Sequence, residues 1–210
     1  MVETAGHNSR LETIGSAAAG IAHDINNQLT LILNYLEITD LRGAREAADR
    51  CCALTSSLLS YCRGETPALR PVNVAAFLKS FVETLHLPPG VRWTLELEDP
   101  LPDIKADPLA IGRVLTNLIG NACDAMDNTG SIAIRASQGT IEVRDSGPRI
   151  PPAKIREIFE PFYSTKGSRG NGLGLAIVRE IMRQHGGSAT VRSEPGKGAA
   201  FTLRFRKSVL

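Results

Sequence analysis

In the segment GIAHDINNQLT, His23 stands two residues from both Ile21 and Ile25. On a helix that offset is about 200°, so the imidazole faces away from the apolar seam that the isoleucines mark. Asp24 is its direct neighbour, and Asn27 lies about 40° away on the same face, one turn below. An exposed imidazole beside a carboxylate is built for nucleophilic work: the carboxylate accepts the proton of one ring nitrogen while the other attacks. Taken alone, the segment fits equally well as the polar outer face of an ordinary helix.

Three later segments carry complementary chemistry. TNLIGNACDAM sets Asn117 and Asn121 on one helix face at i and i+4, with Asp124 three residues further. Amide oxygens are hard ligands suited to a Mg²⁺ that also holds phosphate oxygens, and two asparagines inside an apolar helix go against propensity. The other reading is a pair that satisfies backbone groups or caps a loop. VRDSGPRIP ends a strand in Asp145 and turns at Gly147 and Pro148. There a carboxylate can accept the exocyclic amino proton of adenine, and Gly147 lets a base approach the backbone; a plain turn is the alternative. GNGLGLAIV places Gly170, Gly172 and Gly174 before an apolar helix, whose N-terminal amides and dipole suit a polyphosphate. It matches neither G-x-x-x-x-G-K-[ST] nor G-x-G-x-x-G, which excludes P-loop and Rossmann readings.

The elements that must position these groups divide the chain in two. Residues 11 to 63 hold no proline, whereas ten of the nineteen glycines fall between Gly139 and Gly198. Leu11, Ile14, Ala18, Ile21, Ile25, Gln28, Ile32 and Tyr35 follow a 3,4 spacing with one polar exception, a helix that buries one seam. Gly43 is read as the interruption, and a second helix is expected from Ala44 to Cys62, making a helical hairpin. One buried face leaves apolar surface over, which a dimeric four-helix bundle would cover. GETPALRP, Gly64 to Pro71, reads as a linker.

Beyond it the pattern predicts helices over Val74–Leu85, Pro108–Met126 and Leu173–Gln184, with a short one near Lys154–Phe159. Strands are expected at Val91–Leu97, Ser131–Ala136, Thr140–Arg144, Ala189–Ser193 and Ala200–Phe205. The helix from Pro108 has Asp107 as its N-cap. Together these make an α/β layer.

A net charge of +2 argues against a nucleic-acid coat or a polybasic membrane surface. No apolar run approaches the roughly 18 to 20 residues of a membrane helix, and the N-terminus lacks a signal-peptide stretch, so a cytoplasmic location is expected. Cys51, Cys52, Cys62 and Cys123 form no C-x-x-C and read as reduced thiols. His7, His23, His86 and His185 are too far apart in sequence for a local metal motif.

The four motifs in this order, joined by IFEPFYSTK and HGGSATVRSEPGKGAAFTLRF, make the chain resemble the bacterial sensor histidine kinases, particularly the subgroup whose phosphoacceptor segment reads HD-x-NN. The resemblance runs from about Leu11 to Phe205. It implies a dimerisation and histidine phosphotransfer hairpin over residues 1–66. Residues 67–210 would be an ATP-binding α/β sandwich of the type shared with Hsp90, MutL and gyrase. His23 would be the phosphoacceptor, Asp24 the general base, and Asn27 the residue that orients a hydrolytic water on a phosphorylated response regulator. Asn121 would ligate Mg²⁺ with Asn117 in support, and Asp145 and Gly147 would bind adenine. Gly170, Gly172, Leu173 and Gly174 would line the nucleotide, and Lys166 would reach its phosphates from a mobile segment. The phosphoryl group would then pass from His23 to an aspartate of a receiver domain.

Two positions depart from the family pattern. Arg149 stands where the adenine motif D-x-G-x-G has its second glycine, and Gln28 stands where many relatives have proline. If position 149 requires a positive φ, a long side chain there costs about 1 to 3 kcal/mol and weakens ATP binding. An outward-pointing Arg149 would be harmless. The strained case favours a different class of protein, a phosphotransfer adaptor that carries phosphate on His23 and no longer uses ATP.

Overall fold

The computed structural model describes residues 25–45, 47, 48, 51, 55, 66–164 and 172–206. The chain divides into two compact units, Met1–Glu65 with Glu160–Leu173, and Thr66–Phe159 with Gly174–Leu210.

In the first unit, helix α1 covers residues 25–37, and α2 starts at residue 41 and is helical at 41–45, 47, 48, 51 and 55. The predicted seam is visible in its burial. Ile25, Ile32 and Tyr35 are half-buried and Gln28 is buried, while residues 29, 30, 31, 33 and 34 are exposed. Gly43 does not interrupt the helix as expected. The chain turns instead at Thr39, φ 59°, and at Asp40, whose Oδ1 accepts the Gly43 N–H at 3.0 Å and so caps α2. Gly43 lies inside the first turn of α2, where a Cβ would come 2.7 Å from Tyr35 Cδ1. A bare Cα there makes room for the ring. In the same unit, Phe162 and Gly172 both have left-handed backbones, φ 66° and 63°, and the Phe162 N–H donates to the Gly172 carbonyl at 3.0 Å.

The second unit contains β1 (Arg70–Val72), α3 (Val74–Glu83), β2 (Val91–Leu97), β3 (Ile104–Ala106), α4 (Pro108–Ala125), β4 (Gly130–Ser137) and β5 (Thr140–Asp145). Two 3-10 turns follow, Pro152–Lys154 and Glu157–Phe159, where one short helix was expected. Then come α5 (Gly174–Gln184), β6 (Ser188–Ser193) and β7 (Ala199–Arg204). The main sheet has the order β2-β4-β5-β7-β6, with β2 parallel to β4 and every other pair antiparallel. Strands β1 and β3, which the sequence pattern did not announce, form a separate antiparallel pair. Arg70 and Pro71, read as linker, belong to β1.

Strand alternation makes one face of the sheet apolar. Ile132, Ile134 and Ala136 of β4, Ile141 and Val143 of β5, and Phe201 and Leu203 of β7 are buried. On the helices, Ile111, Val114, Leu115 and Leu118 of α4 and Ala176, Ile177, Val178 and Ile181 of α5 complete the core, and the two helices pack together. α4 starts at Asp107 because the carboxylate Oδ1 accepts the N–H groups of Leu109 at 3.0 Å and Ala110 at 3.3 Å, with Pro108 entering the first turn. Asp107 Oδ2 also accepts the Ala68 N–H at 3.1 Å. The Asp107 N–H donates to Nε2 of the buried His185 at 3.0 Å, and His185 Nδ1 donates to the Ile181 carbonyl at 2.7 Å. One residue thereby fastens the start of the domain, the start of α4 and the end of α5.

Burial alone would raise the pKa of the Asp107 carboxyl, but the N–H groups of Ala68, Ala110 and Leu109 and the nearby His185 outweigh it and hold the group below its ordinary value. Such a carboxylate stabilises the fold fully above its unfolded pKa and loses that contribution as pH falls through the lowered folded value. Asp107→Ala is expected to destabilise the domain by about 1 kcal/mol at neutral pH, a typical helix-cap loss. In urea unfolding, the gap from wild type should narrow as pH falls below about 4, the ordinary aspartate value.

Candidate functional site

Two corners of the second unit bring predicted residues together, and both lie along α4. At the first, the bare Cα of Gly174 opens α5 beside the two asparagines: a Cβ built there would stand 3.5 Å from Asn117 Oδ1 and 3.6 Å from Asn121 Nδ2. Both carboxamides are half-buried and meet the N-terminal turn of α5, which carries the positive end of the helix dipole. No group of three or more His, Cys, Asp or Glu side chains among the described residues could hold a metal. At this corner Asn117 turns its carboxamide oxygen, and Asn121 its carboxamide nitrogen, toward the start of α5. A carboxamide oxygen is a hard ligand of the kind that suits Mg²⁺ with water and phosphate oxygens completing the shell, and Asn121 would supply one with its amide group turned over.

The second corner is the end of β5. The alternation that buries Ile141 and Val143 also delivers Asp145 to the helix-facing side, where its side chain is 6% exposed. Asp145 Oδ1 accepts the Gly147 N–H at 2.8 Å and the Ala199 N–H at 3.2 Å. Burial pushes this carboxyl up from its ordinary value, and the backbone N–H groups of Gly147, Ala199 and Asp145 itself oppose that without overcoming it. No buried side-chain polar atom among the described residues lacks a partner. A Cβ on Gly147 would stand 2.9 Å from Asp145 Oδ1, 3.2 Å from Met126 Cγ and 3.6 Å from Ala125 Cβ. The corner is thus a carboxylate acceptor, a bare backbone and the last turn of α4.

Gly198 closes the corner from the other side. Its φ is 68°, and a Cβ there would collide with the Asp145 carbonyl oxygen. Ser193 Oγ donates to the Gly198 carbonyl at 2.7 Å and accepts the Ile150 N–H at 2.9 Å, which ties the turn after Asp145 to the loop between β6 and β7. Gly198, Ala199, Ser193 and Met126 were not singled out from sequence. Ser193, Gly198 and Ala199 entered the sequence reading only within HGGSATVRSEPGKGAAFTLRF, as part of the family resemblance, because a long-range backbone contact leaves no local pattern.

Arg149 resolves simply. It is exposed, and it is not among the residues with positive φ. A long side chain at this position therefore carries no backbone strain. Cys51 and Cys123 are free thiols, and burial first, with Asp124 nearby, pushes the Cys123 thiol up. Of the other predicted site residues, Asn27 is half-buried on α1, Leu173 is buried, and Gly172 sits against Phe162, where a Cβ would collide with that residue's carbonyl carbon. His23, Asp24, Lys166 and Gly170 lie outside the described residues.

The corners are linked by a rigid spacer. Met126, the C-cap of α4, stands nine positions after Asn117, about 13 Å at 1.5 Å per residue. Asn121, the nearer asparagine, is five residues from Met126, about 7.5 Å, so the two corners lie along one helix.

Residues 106–209 match the family described as histidine kinase-, DNA gyrase B-, and HSP90-like ATPase. Sensor histidine kinase ZraS of Escherichia coli K12 is 34% identical over 92% of this chain, which spans 46% of the length of ZraS. Among solved structures, histidine kinase ThkA in complex with response regulator protein TrrA superposes with a TM-score of 0.76 at 23% identity, covering 96% of this chain and 64% of the ThkA chain. Full-length ShkA in complex with AMPPNP gives 0.67 at 24%, covering 95% and 47%. The chain belongs to the two-component sensor histidine kinases, and residues 106–209 are its ATPase-family domain. No helix among the described residues is long and apolar enough to cross a membrane.

Because Asp145 has a raised pKa in the fold, its ionised form costs stability above that pKa, and the cost is relieved as pH falls through it. Asp145→Asn keeps an oxygen for Gly147 and Ala199 and removes the buried charge. The variant is expected to melt higher than wild type at pH 7, with the difference shrinking in acid. Its nucleotide affinity should fall about tenfold or more, since hydrogen bonds to charged groups contribute about 1.5 to 3 kcal/mol.

Proposed function

We propose that this chain is the core of a protein histidine kinase that phosphorylates His23 from Mg-ATP and hands the phosphoryl group to an aspartate of a response regulator. The observation that carries the reading is the pairing of corners along α4, with Asn117, Asn121 and the start of α5 at one and Asp145 with Gly147 at the other. AMPPNP bound to ShkA and the response regulator bound to ThkA support the nucleotide and the partner.

In this mechanism Asp145 Oδ2 accepts the exocyclic amino proton of adenine, and the Gly147 backbone lies along the base. The N-terminal amides of α5 hold the phosphates, with Gly170, Gly172, Leu173 and Lys166 contributing from the preceding segment. Asn121, supported by Asn117, would hold a Mg²⁺, which when bound neutralises phosphate charge. Asp24 takes the proton from one nitrogen of His23 while the other attacks the γ-phosphorus. The bond to the β,γ-bridging oxygen breaks and ADP leaves. General-base assistance of this kind contributes about 10² to 10⁴ in rate. The phosphoramidate then transfers to the receiver aspartate, and Asn27 can orient a water for the reverse, dephosphorylating reaction. The adaptor alternative drew its support from strain at Arg149, and an exposed residue without positive φ withdraws that support.

Incubation with γ-labelled ATP and Mg²⁺ should give a label that is lost in acid and survives base. His23→Ala should abolish it while keeping the thermal stabilisation by nucleotide, about 2.7 kcal/mol at 100 times Kd. Label retained by His23→Ala would move the phosphoacceptor elsewhere. Leu29, Leu33 and Leu36 form a second apolar stripe on α1, 46%, 62% and 49% exposed, outside the seam within the hairpin. That stripe supports a homodimer through the hairpins. Light scattering at tens of micromolar should return twice the 22.6 kDa chain mass, and a monomer would overturn it.

A further inference from the structure

Met126, which ends α4, is 8% exposed, and its side chain lies among Gly147, Gly130 and Ser146. The thioether chain lies against the bare Cα of Gly147, with Cγ 3.2 Å from where a Cβ would stand. Its sulfur occupies the space left by a second bare Cα: a Cβ on Gly130 would come 2.6 Å from Met126 Sδ and 2.7 Å from Ser146 Oγ. The Ser146 hydroxyl donates to Met126 Sδ at 3.3 Å and accepts the Ser131 N–H at 3.0 Å, while the Ser146 N–H donates to the Ser131 carbonyl at 3.0 Å. Ser146, exposed and one residue past the end of β5, is held by these two hydrogen bonds to Ser131, so its hydroxyl is a positioned handle on a flexible side chain.

A methionine has three rotatable bonds and a polarisable sulfur that favours aromatic contact. Left free, it would present several surfaces at the Asp145–Gly147 corner; held by Ser146 and Gly130, it presents one. Met126 and the Asp145 carboxylate flank the same bare Cα, Gly147, so a flat ring that donates to that carboxylate over Gly147 has the methionine side chain beside it. We propose that Ser146 is a positioning residue for the nucleotide base, acting by fixing the Met126 thioether as the surface on which the purine ring rests. This rests on the nucleotide reading given above. It makes the residue between Asp145 and Gly147 a determinant of base affinity through a sulfur contact.

The test is a double-mutant cycle on the full chain, read as the Kd for Mg-ATP by calorimetry, with the melting temperature of each ligand-free variant alongside. Ser146→Ala should weaken Mg-ATP about fivefold with little change in melting temperature, and Ser146→Thr, which keeps a hydroxyl, should restore affinity to within about twofold of wild type, each tenfold being about 1.4 kcal/mol. Met126→Leu, similar in volume and without sulfur, should weaken binding comparably. In the Met126→Leu background, Ser146→Ala should add less than about twofold, because coupled partners are not additive. Unchanged affinity in Ser146→Ala, or the same loss with and without the sulfur, overturns the proposal. Wild-type chain that binds no Mg-ATP overturns the nucleotide reading itself, whereas tight wild-type binding with an additive cycle overturns only the role of Ser146.

Discussion

A carboxylate carried into the apolar side of a sheet is the constraint around which the second unit is arranged. Strand β5 alternates, and its inward positions are Ile141, Val143 and Asp145. The period of two that builds the core therefore also delivers a charge to the core's edge. Burial raises the pKa of that group, and the fold answers with two backbone N–H donors on one oxygen. Those donors need the chain at 147 and at 199 to pass close by, and close passage leaves no room for side chains at Gly147 and Gly198. The glycines and the Ser193 tie to Ile150 follow from the carboxylate. They are the local backbone solution to keeping one carboxylate partly desolvated with its first oxygen satisfied.

Helix α4 converts that corner into half of a site. Its seven buried residues, Ile111 through Cys123, commit one face to the core, and the asparagines and Met126 fall where that face meets the edges. A helix is a stiff spacer, so the separation between the amide corner and the carboxylate corner is set by backbone geometry and not by side-chain reach. Its register along its own axis is fixed by Asp107, whose side chain caps it and whose N–H is held by His185 from α5. Since α5 starts at Gly174, beside the asparagines, the His185 contact also holds the far end of the helix whose first turn meets them. The polar network behind the site and the polar groups within it are thus two ends of the same pair of helices.

How much of this was legible in the sequence follows the range of each interaction. Local signals were clear: Asp107 before Pro108 marked the start of α4, the alternation in TIEVRD marked β5, and the 3,4 seam at Ile25, Gln28, Ile32 and Tyr35 marked one face of α1. Short or tertiary features were not. β1 and β3 are three residues each and are stable only as a pair, so neither has a periodicity to detect. Gly43 looked like a breaker because glycine usually is one, yet here it is a flat surface for Tyr35, and the turn falls to Thr39 and Asp40. Ser193, Gly198 and Ala199 reach Asp145 from the far end of the chain, and sequence spacing carries no trace of such a contact. In the candidate site, the asparagines, Asp145, Gly147 and Gly174 were readable because their residue types are unfavourable where they stand unless something else needs them. Met126 and Ser146 were not, since a methionine ending a helix and a serine in a turn are ordinary.

Glycine placement also bears on whether the site is built to work. A positive φ is a position that side chains rarely adopt, and a bare Cα in contact with backbone is one they cannot share. Gly172 and Gly198 meet both conditions, one against the Phe162 carbonyl carbon and the other against the Asp145 carbonyl oxygen. Arg149 meets neither: its backbone is outside the positive-φ set, and its side chain is exposed. Where the fold physically requires glycine, the chain has it, and where the family pattern has glycine without such a requirement, the chain has replaced it with a residue that water solvates. A departure confined to a position that tolerates any side chain leaves the Asp145 corner unstrained. The departure at Arg149 therefore gives no physical reason to separate this chain from its ATP-using relatives.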